Sequence, residues 1–113
     1  MKRGDIYQAN LNPTIGSEQA GMRTVVIVSR DGINNSSPVV VIVPLTTYSD
    51  NKKIYPSHHI VKAGKNGLTA DSIVKCEQIR AIAKSRLQAK RGTLAEEDIK
   101  AIAKALKITL DLY

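Results

Sequence analysis

Two runs of β-branched residues constrain the fold of this chain more than any other feature. Val25–Val28 and Val39–Val43 consist only of Val and Ile, and both are too short for a typical helix. Such runs are typical of buried strands. We therefore predict strands over Arg23–Arg30 and Val39–Leu45, with Pro44 near the end of the second, where a missing ladder donor is tolerated or marks an edge. The core around them must be aliphatic, because the chain contains no Phe and no Trp.

Weaker patterns predict the rest of a sheet. Three further segments are strand candidates: Ile6–Ala9, His58–Val61 and Ser72–Ile82. In the longest of these, the apolar alternation fails around Glu77 and Gln78, which indicates a bulge or a bend. Two segments are rich in turn-forming residues and predict turns: Asp31–Ser37 and Ala63–Gly67.

The last fifth of the chain has the pattern of an amphipathic helix. Thr93 and Glu96 fit a capping box, and acidic residues follow in the first turns, where the helix dipole favours them. Apolar residues then recur at spacings of three and four: Ile99, Ile102, Ala103, Leu106 and Leu110. We therefore predict an α+β fold, a small curled, mostly antiparallel sheet or barrel on which a C-terminal helix packs.

Length and composition restrict the number of domains and the cellular compartment of the protein. A length of 113 residues fits one domain spanning 1–113. Cys76 is the only cysteine, which excludes an internal disulfide and a four-cysteine zinc site. No apolar segment follows Lys2 and Arg3, and no apolar run approaches the length of a membrane span. The expectation is a cytoplasmic protein that does not cross a membrane.

The charge balance gives the first indication of function. Lys and Arg total 17 against 10 Asp and Glu, a net charge of +7, which attracts polyanions such as nucleic acid. A merely soluble basic surface is the alternative. No HExxH, CxxC, P-loop or GxGxxG pattern occurs, and the adjacent His58 and His59 would face opposite sides of a strand. We expect neither a metal ion nor another cofactor.

Three groups of polar residues are candidates for chemistry. Arg23 follows a glycine-containing loop at a rigid strand start, a position suited to bidentate contact with phosphate. Thr46 and Thr47 lie at a strand end, where hydroxyls can donate to phosphate oxygens. Glu77 lies near Lys75 in a strand and can pair with a cation or act as a base. Each group also has a plain structural interpretation: a surface Arg, a polar strand end, an ion pair.

Three motifs in this order resemble the MazF/PemK/Kid family of toxins from toxin–antitoxin modules. The motifs are Arg3–Tyr7 with Leu11–Pro13 and Gly16–Arg23, then Val43–Thr47, then Cys76–Ile82. The resemblance spans nearly the whole chain. It implies a homodimer of small SH3-like barrels that acts as a sequence-specific endoribonuclease, cutting single-stranded RNA such as mRNA without a metal ion. It also implies a cognate antitoxin whose acidic, disordered segment covers the RNA groove.

The same resemblance implies which residues form the site. Arg23 and Thr46 match the catalytic Arg and Thr of the family. The residues implied to bind RNA or support the site are Ser17, Glu18, Gln19, Thr47, Lys75 and Glu77. The chain departs from the family in having Thr24 where Pro is common after the Arg, and Ser17 where some members carry a His. His58 and His59 lie away from the motifs in sequence and are expected to be structural.

The chemistry implied by this resemblance is attack of an RNA 2′-hydroxyl on the adjacent phosphorus, which yields a 2′,3′-cyclic phosphate. Arg23 would stabilise the developing charge, and Thr46 would fix a phosphate oxygen. Because Arg stays protonated near neutrality, the general base is open between Glu77 and Glu18.

Two other readings remain open from the sequence. One is a CcdB-like toxin that binds DNA gyrase without nuclease activity, but such toxins resemble one another in a Trp-containing C-terminal motif that this chain lacks. The other is a plain RNA-binding barrel, for which four Tyr with no Phe or Trp offer few stacking platforms. A phosphate-directed Arg23–Thr46 pair favours the nuclease over the gyrase-binding toxin.

Overall fold

A computed structural model describes residues 1–113 and contains seven strands and two helices. Their order is β1 (Asp5–Asn10), β2 (Met22–Ile27), α1 (Asp31–Ser36), β3 (Val39–Thr47), β4 (His58–Val61), β5 (Ser72–Lys75), β6 (Arg80–Ala83), β7 (Leu87–Thr93) and α2 (Glu96–Thr109). The strands pair in the order β4-β5-β3-β2-β1-β7, with β6 also beside β3, and every pairing is antiparallel. The predicted α+β fold, a mostly antiparallel sheet with a C-terminal helix, is confirmed.

The longest strand, β3, organises the sheet. It pairs with β2 along one edge, and along the other it pairs first with β6 and then with β5. Pro44 lies between the β6 ladder, which ends at Ile42, and the β5 ladder, which begins at Leu45. Because β3 changes its partner strand there, Pro44, which has no N–H to donate, is tolerated inside the sheet, where it is fully buried.

Alternation along the strands divides the core into two apolar clusters. Val26 and Val43 face the cluster that α2 covers, while Val25 and Ile42 face the other. Ile102 and Ala105 of α2 are buried in the first cluster. The predicted helix stripe is thus confirmed at its centre. It is wrong for Leu110, which lies just beyond the end of α2 and is half exposed.

The predicted capping box is also wrong. The N-cap residue of α2 is Ala95, which makes no side-chain capping bond. Thr93 belongs to β7 instead, and its hydroxyl donates to the Asp5 carboxylate at 3.0 Å. That carboxylate is almost fully buried, and it also accepts the backbone N–H of Lys2 at 2.8 Å and lies 3.4 Å from Lys90 Nζ. The threonine therefore joins β7 to β1 rather than starting the helix.

Several element boundaries differ from the sequence predictions. The segment Ser72–Ile82 is not one strand, because a 3-10 turn over Cys76–Gln78 separates β5 from β6 at the expected bend. The predicted turn over Asp31–Ser37 is the short helix α1. Inside α1 the buried Asn34 donates to the Ser29 carbonyl at 2.8 Å. Strand β7 was not predicted, since most of its residues are exposed and show no apolar alternation.

Neither helix is long and apolar enough to cross a membrane.

Candidate functional site

The register of β2 on β3 brings Arg23 and Thr46 to the same end of the sheet. Val25 pairs with Pro44 across the two antiparallel strands. This is the last pair of the β2–β3 ladder, and Arg23 and Thr46 lie two residues beyond it on their strands. Since side chains alternate along a strand, both point to the face of the sheet that carries Val25 and Pro44. Two residues far apart in sequence therefore lie on the same face at one end of the β2–β3 pair.

Arg23 is held at its base and open at its tip. Its Nε donates to the carbonyl of Ala20 at 2.9 Å, within the loop that precedes β2. The terminal nitrogens of the guanidinium make no ion pair within the chain. A positioned guanidinium with free N–H groups is a ready partner for a phosphate oxygen.

Thr46 has a partner that sequence reasoning missed. Lys52, from the loop between β3 and β4, donates to Thr46 Oγ1 at 3.1 Å and to the Thr47 carbonyl at 2.6 Å. Because the hydroxyl oxygen accepts from the ammonium, its own proton is directed elsewhere and can be donated to a ligand. No sequence signal marks Lys52, since it lies in a polar loop whose course depends on tertiary structure.

The loop between β1 and β2, residues 11–21, is the first loop of the chain. Together with the 3-10 turn over Cys76–Gln78 it lines a cavity of about 290 Å³. Its lining includes the predicted residues Ser17, Glu18, Gln19 and Glu77. The two segments touch where the Gln19 N–H donates to Gln78 Oε1 at 3.4 Å. Glu18 stabilises its own loop, since one carboxylate oxygen accepts the backbone N–H of Ile15 at 2.7 Å.

A second cavity of about 340 Å³ lies beside the first and contains Thr46, Lys75 and Glu77. Glu77 lines both cavities and therefore lies between them. Thr47 is not part of this group, because it faces the other side of β3 and lines a separate small cavity with Thr24. The structure therefore brings together all the predicted supporting residues except Thr47.

The carboxylate of Glu77 is engaged at both oxygens. Ser57 Oγ donates to Oε1 at 3.3 Å, and His58 Nε2 lies 3.0 Å from Oε2. The Tyr55 N–H donates to Nδ1 of the same ring at 3.2 Å, so the ring proton is on Nε2 and is donated to Glu77. His58, which lies away from the motifs in sequence, thus contacts Glu77 and lines the cavity that contains Thr46.

These contacts set the charge of Glu77. Burial raises the pKa of its carboxyl, but the hydrogen bonds from His58, from its own backbone N–H and from Ser57 together outweigh burial and bring the pKa below its usual value. Glu77 is therefore ionised at neutral pH and is a weaker base than an ordinary glutamate. The other histidine, His59, lies 2.9 Å from Asp98 and joins β4 to the first turn of α2.

Two arginines position the start of the first loop. Arg80 donates to the Leu11 carbonyl at 3.3 Å, and Arg86 donates to the carbonyls of Asn10 and Asn12. The loop that precedes Arg23 is thus attached to β6 and to the 3-10 turn that precedes β7. These contacts were not predicted, since nothing in the sequence indicates that either arginine faces a backbone carbonyl.

Neither a metal cluster nor a reactive thiol is found in the chain. No group of three or more His, Cys, Asp or Glu side chains is placed to hold a metal ion. Burial, with a smaller effect of the Glu77 charge, raises the pKa of the Cys76 thiol to about 12. The polar groups of this site are a guanidinium, a hydroxyl, ammonium groups, the His58 imidazole and two carboxylates.

Comparison with known sequences gives a match over almost the whole chain. Residues 2–110 match the sequence profile of the family described as PemK-like, MazF-like toxin of type II toxin–antitoxin systems. A protein of Staphylococcus saprophyticus named Endoribonuclease MazF is 40% identical over 113 residues, which covers 100% of this chain and 93% of that protein.

Solved structures show the same fold. A mycobacterial endoribonuclease in complex with its cognate antitoxin aligns with a TM-score of 0.82 at 25% identity, over 100% of this chain and 97% of that one. The Deinococcus radiodurans MazF aligns with a TM-score of 0.83, over 99% of this chain and 97% of that one. At 18% identity, the second likeness concerns the fold alone.

Proposed function

This chain belongs to the family of PemK-like, MazF-like toxins of type II toxin–antitoxin systems and is an endoribonuclease of that family, and we propose that it cleaves single-stranded mRNA at a defined sequence without a metal ion. The observation that carries the proposal is the position of Arg23 and Thr46, which both follow the last β2–β3 pair, Val25–Pro44, at the same end of the two strands. The Arg23 side chain is exposed there, and Thr46 lines a polar cavity. A gyrase-binding toxin does not need a guanidinium and a hydroxyl directed at one phosphate.

The residues suit transfer of a phosphoryl group to the neighbouring 2′-hydroxyl. The 2′-oxygen gives up its proton and attacks phosphorus, the bond to the 5′-oxygen breaks, and that oxygen takes up a proton from water, so the products are a 2′,3′-cyclic phosphate and a 5′-hydroxyl. Arg23 donates to the non-bridging oxygens as negative charge develops there. Thr46 donates its free proton to the same phosphate, and Lys52 orients that hydroxyl and adds positive charge beside it.

Of the two carboxylates in the cavity, we assign proton acceptance to Glu18. Glu77 has both oxygens occupied and a lowered pKa, which reduces its basicity. Glu18 uses one oxygen to accept the Ile15 N–H and has the other available. Glu77 then acts as a positioning residue that holds His58 and Ser57 beside the cavity.

The partners follow the same reasoning. We propose a single domain that works as a homodimer in the cytoplasm, where mRNA is found, and that an acidic segment of a cognate antitoxin inhibits it. The complex of the mycobacterial endoribonuclease with its antitoxin supports such a partner. The net charge of +7 supports both an RNA substrate and an acidic inhibitor.

The test is incubation of the purified protein with long single-stranded RNA in EDTA, followed by mapping of the fragment ends. Discrete cuts with cyclic phosphate ends are expected. Arg23→Ala and Thr46→Val should each lower the rate by about 10²-fold or more while the fold is retained. Arg30→Ala is the matched control, because Arg30 is exposed beyond the far end of β2. Intact RNA with a folded protein, or wild-type rates in both variants, would overturn the proposal.

A further inference from the structure

A third, smaller polar cavity lies on the opposite face of the β2–β3 pair from the proposed catalytic residues. It has a volume of about 100 Å³, and its lining includes Thr24, Thr47, Thr69, Ser72 and Arg91, with no carboxylate. Thr24 directly follows Arg23, and Thr47 directly follows Thr46. Since neighbouring residues of a strand point to opposite faces, this cavity begins one residue away from the proposed active site on the other side of the sheet.

The hydrogen-bond donors of this cavity divide into used and free groups. Thr24 donates its hydroxyl proton to Gln8 Oε1 at 3.3 Å, and Ser72 donates its own to the Ala70 carbonyl at 3.0 Å. The hydroxyls of Thr47 and Thr69 make no hydrogen bond within the chain, and Arg91 has neither an ion pair nor a side-chain hydrogen bond. Two hydroxyls and one guanidinium therefore remain to bind an anion.

The loop that forms one wall of the cavity is held in place. Its backbone lies directly on β7, where a Cβ on Gly92 would overlap the Asn66 carbonyl and a Cβ on Gly67 would overlap the Arg91 carbonyl. The Asn66 side chain accepts the Leu68 N–H at 3.0 Å and donates to the Lys62 carbonyl at 2.9 Å. The backbone of this loop is thus held in place, and the backbone of Arg91 is fixed beside it.

We propose that this cavity binds a second phosphate of the RNA strand, next to the one that is cleaved. The inference rests on the proposed nuclease function and extends it with a subsite built by Thr47, Thr69 and Arg91. An RNA strand that crosses the end of the β2–β3 pair passes from Arg23 and Thr46 on one face to this cavity on the other. Free donors around a cavity without a carboxylate suit a phosphodiester oxygen.

The experiment measures binding of an RNA that carries the mapped cleavage site and a 2′-deoxy nucleotide at the cut, so that it is not cleaved. Arg91→Gln should raise Kd about tenfold or more. It should also make the negative slope of log K against log salt shallower by about 0.7, the value for one single-strand phosphate. Arg30→Gln, at the other end of β2, should change neither quantity. Thr69→Val should weaken binding in the same direction as Arg91→Gln, without changing a charge.

Replacing single phosphates by neutral methylphosphonates locates the contact. One position flanking the cut should weaken binding to the wild type and have no further effect on Arg91→Gln. Wild-type protein that binds RNA, with Arg91→Gln indistinguishable from Arg30→Gln, would overturn the subsite and leave the nuclease proposal standing. Wild-type protein that neither binds nor cleaves RNA would overturn both.

Discussion

Exchange of each carboxylate for its amide distinguishes a base from a positioning residue. In Glu77→Gln the side-chain oxygen still accepts the proton of His58 Nε2, and the amide nitrogen replaces the oxygen that faces Ser57. Because the amide nitrogen donates, the bond to Ser57 reverses and Ser57 Oγ accepts, and the variant loses the charge that assisted the bond from His58. Charge assistance at such a site is worth about 1 kcal/mol, since the Glu77 side chain is 39% exposed, so cleavage should fall about fivefold.

Loss of a general base has a much larger cost, about 10²- to 10⁴-fold. We expect that cost for Glu18→Gln, in which the amide oxygen still accepts the Ile15 N–H and the loop is preserved. The assay is single-turnover cleavage of a short RNA with the mapped site, measured across pH 5–9 at saturating protein. At each pH, the rate of Glu77→Gln should stay within about fivefold of the wild type, whereas the rate of Glu18→Gln should be about 10²- to 10⁴-fold lower.

The opposite pattern would refute this reasoning. A loss of about 10³-fold in Glu77→Gln, together with a nearly wild-type rate in Glu18→Gln, would make Glu77 the base despite its lowered pKa. Circular dichroism and thermal unfolding of both variants provide the control, because equal stability assigns the rate changes to chemistry.

Three further predictions concern single side chains. Lys52→Met removes the donor to the Thr46 hydroxyl and should slow single-turnover cleavage about five- to tenfold; an unchanged rate would remove Lys52 from the site. Asp5→Asn should lower the free energy of unfolding in urea by about 2–3 kcal/mol at pH 7. Burial raises the pKa of Asp5, but its hydrogen bonds lower it overall, so this stability is present above about pH 4 and should be lost as the pH falls further. Gly92→Ala places a methyl group against a loop carbonyl and should destabilise the fold by about 1–3 kcal/mol, visible as a lower Tm, whereas Gly32→Ala makes only an ordinary contact with the Arg30 side chain and should not.

The strands that sequence patterns predict well are those whose burial is local and continuous. Val25 and Val26 are both fully buried on opposite faces of one strand, and that requires an apolar run without alternation. Strand β7 gives no such signal, since it lies at the edge of the sheet beside β1 and exposes most of its side chains. Its existence depends on pairing with β1, which is a tertiary property.

The helix cap shows how tertiary contacts override a local motif. Thr93 and Glu96 have the spacing of a capping box, yet the buried carboxylate of Asp5 competes for the threonine hydroxyl. A buried charge without partners costs more than a helix without a side-chain cap, so the hydroxyl serves Asp5. The roles of Lys52 and His58 could not be predicted for the same reason, because their partners Thr46 and Glu77 come from other elements.

The positive charge of the chain becomes informative once its partners are known. Of the 17 Lys and Arg residues, only Lys62 and Lys90 form ion pairs with carboxylates. Arg80 and Arg86 instead donate to backbone carbonyls of the first loop, which neutralises none of their charge. Most cations therefore contribute to a field that attracts polyanions, and a few of them also build the loop that positions Arg23. A basic composition alone cannot separate these two roles, because both need arginine and only the contacts show which carbonyl or phosphate each one faces.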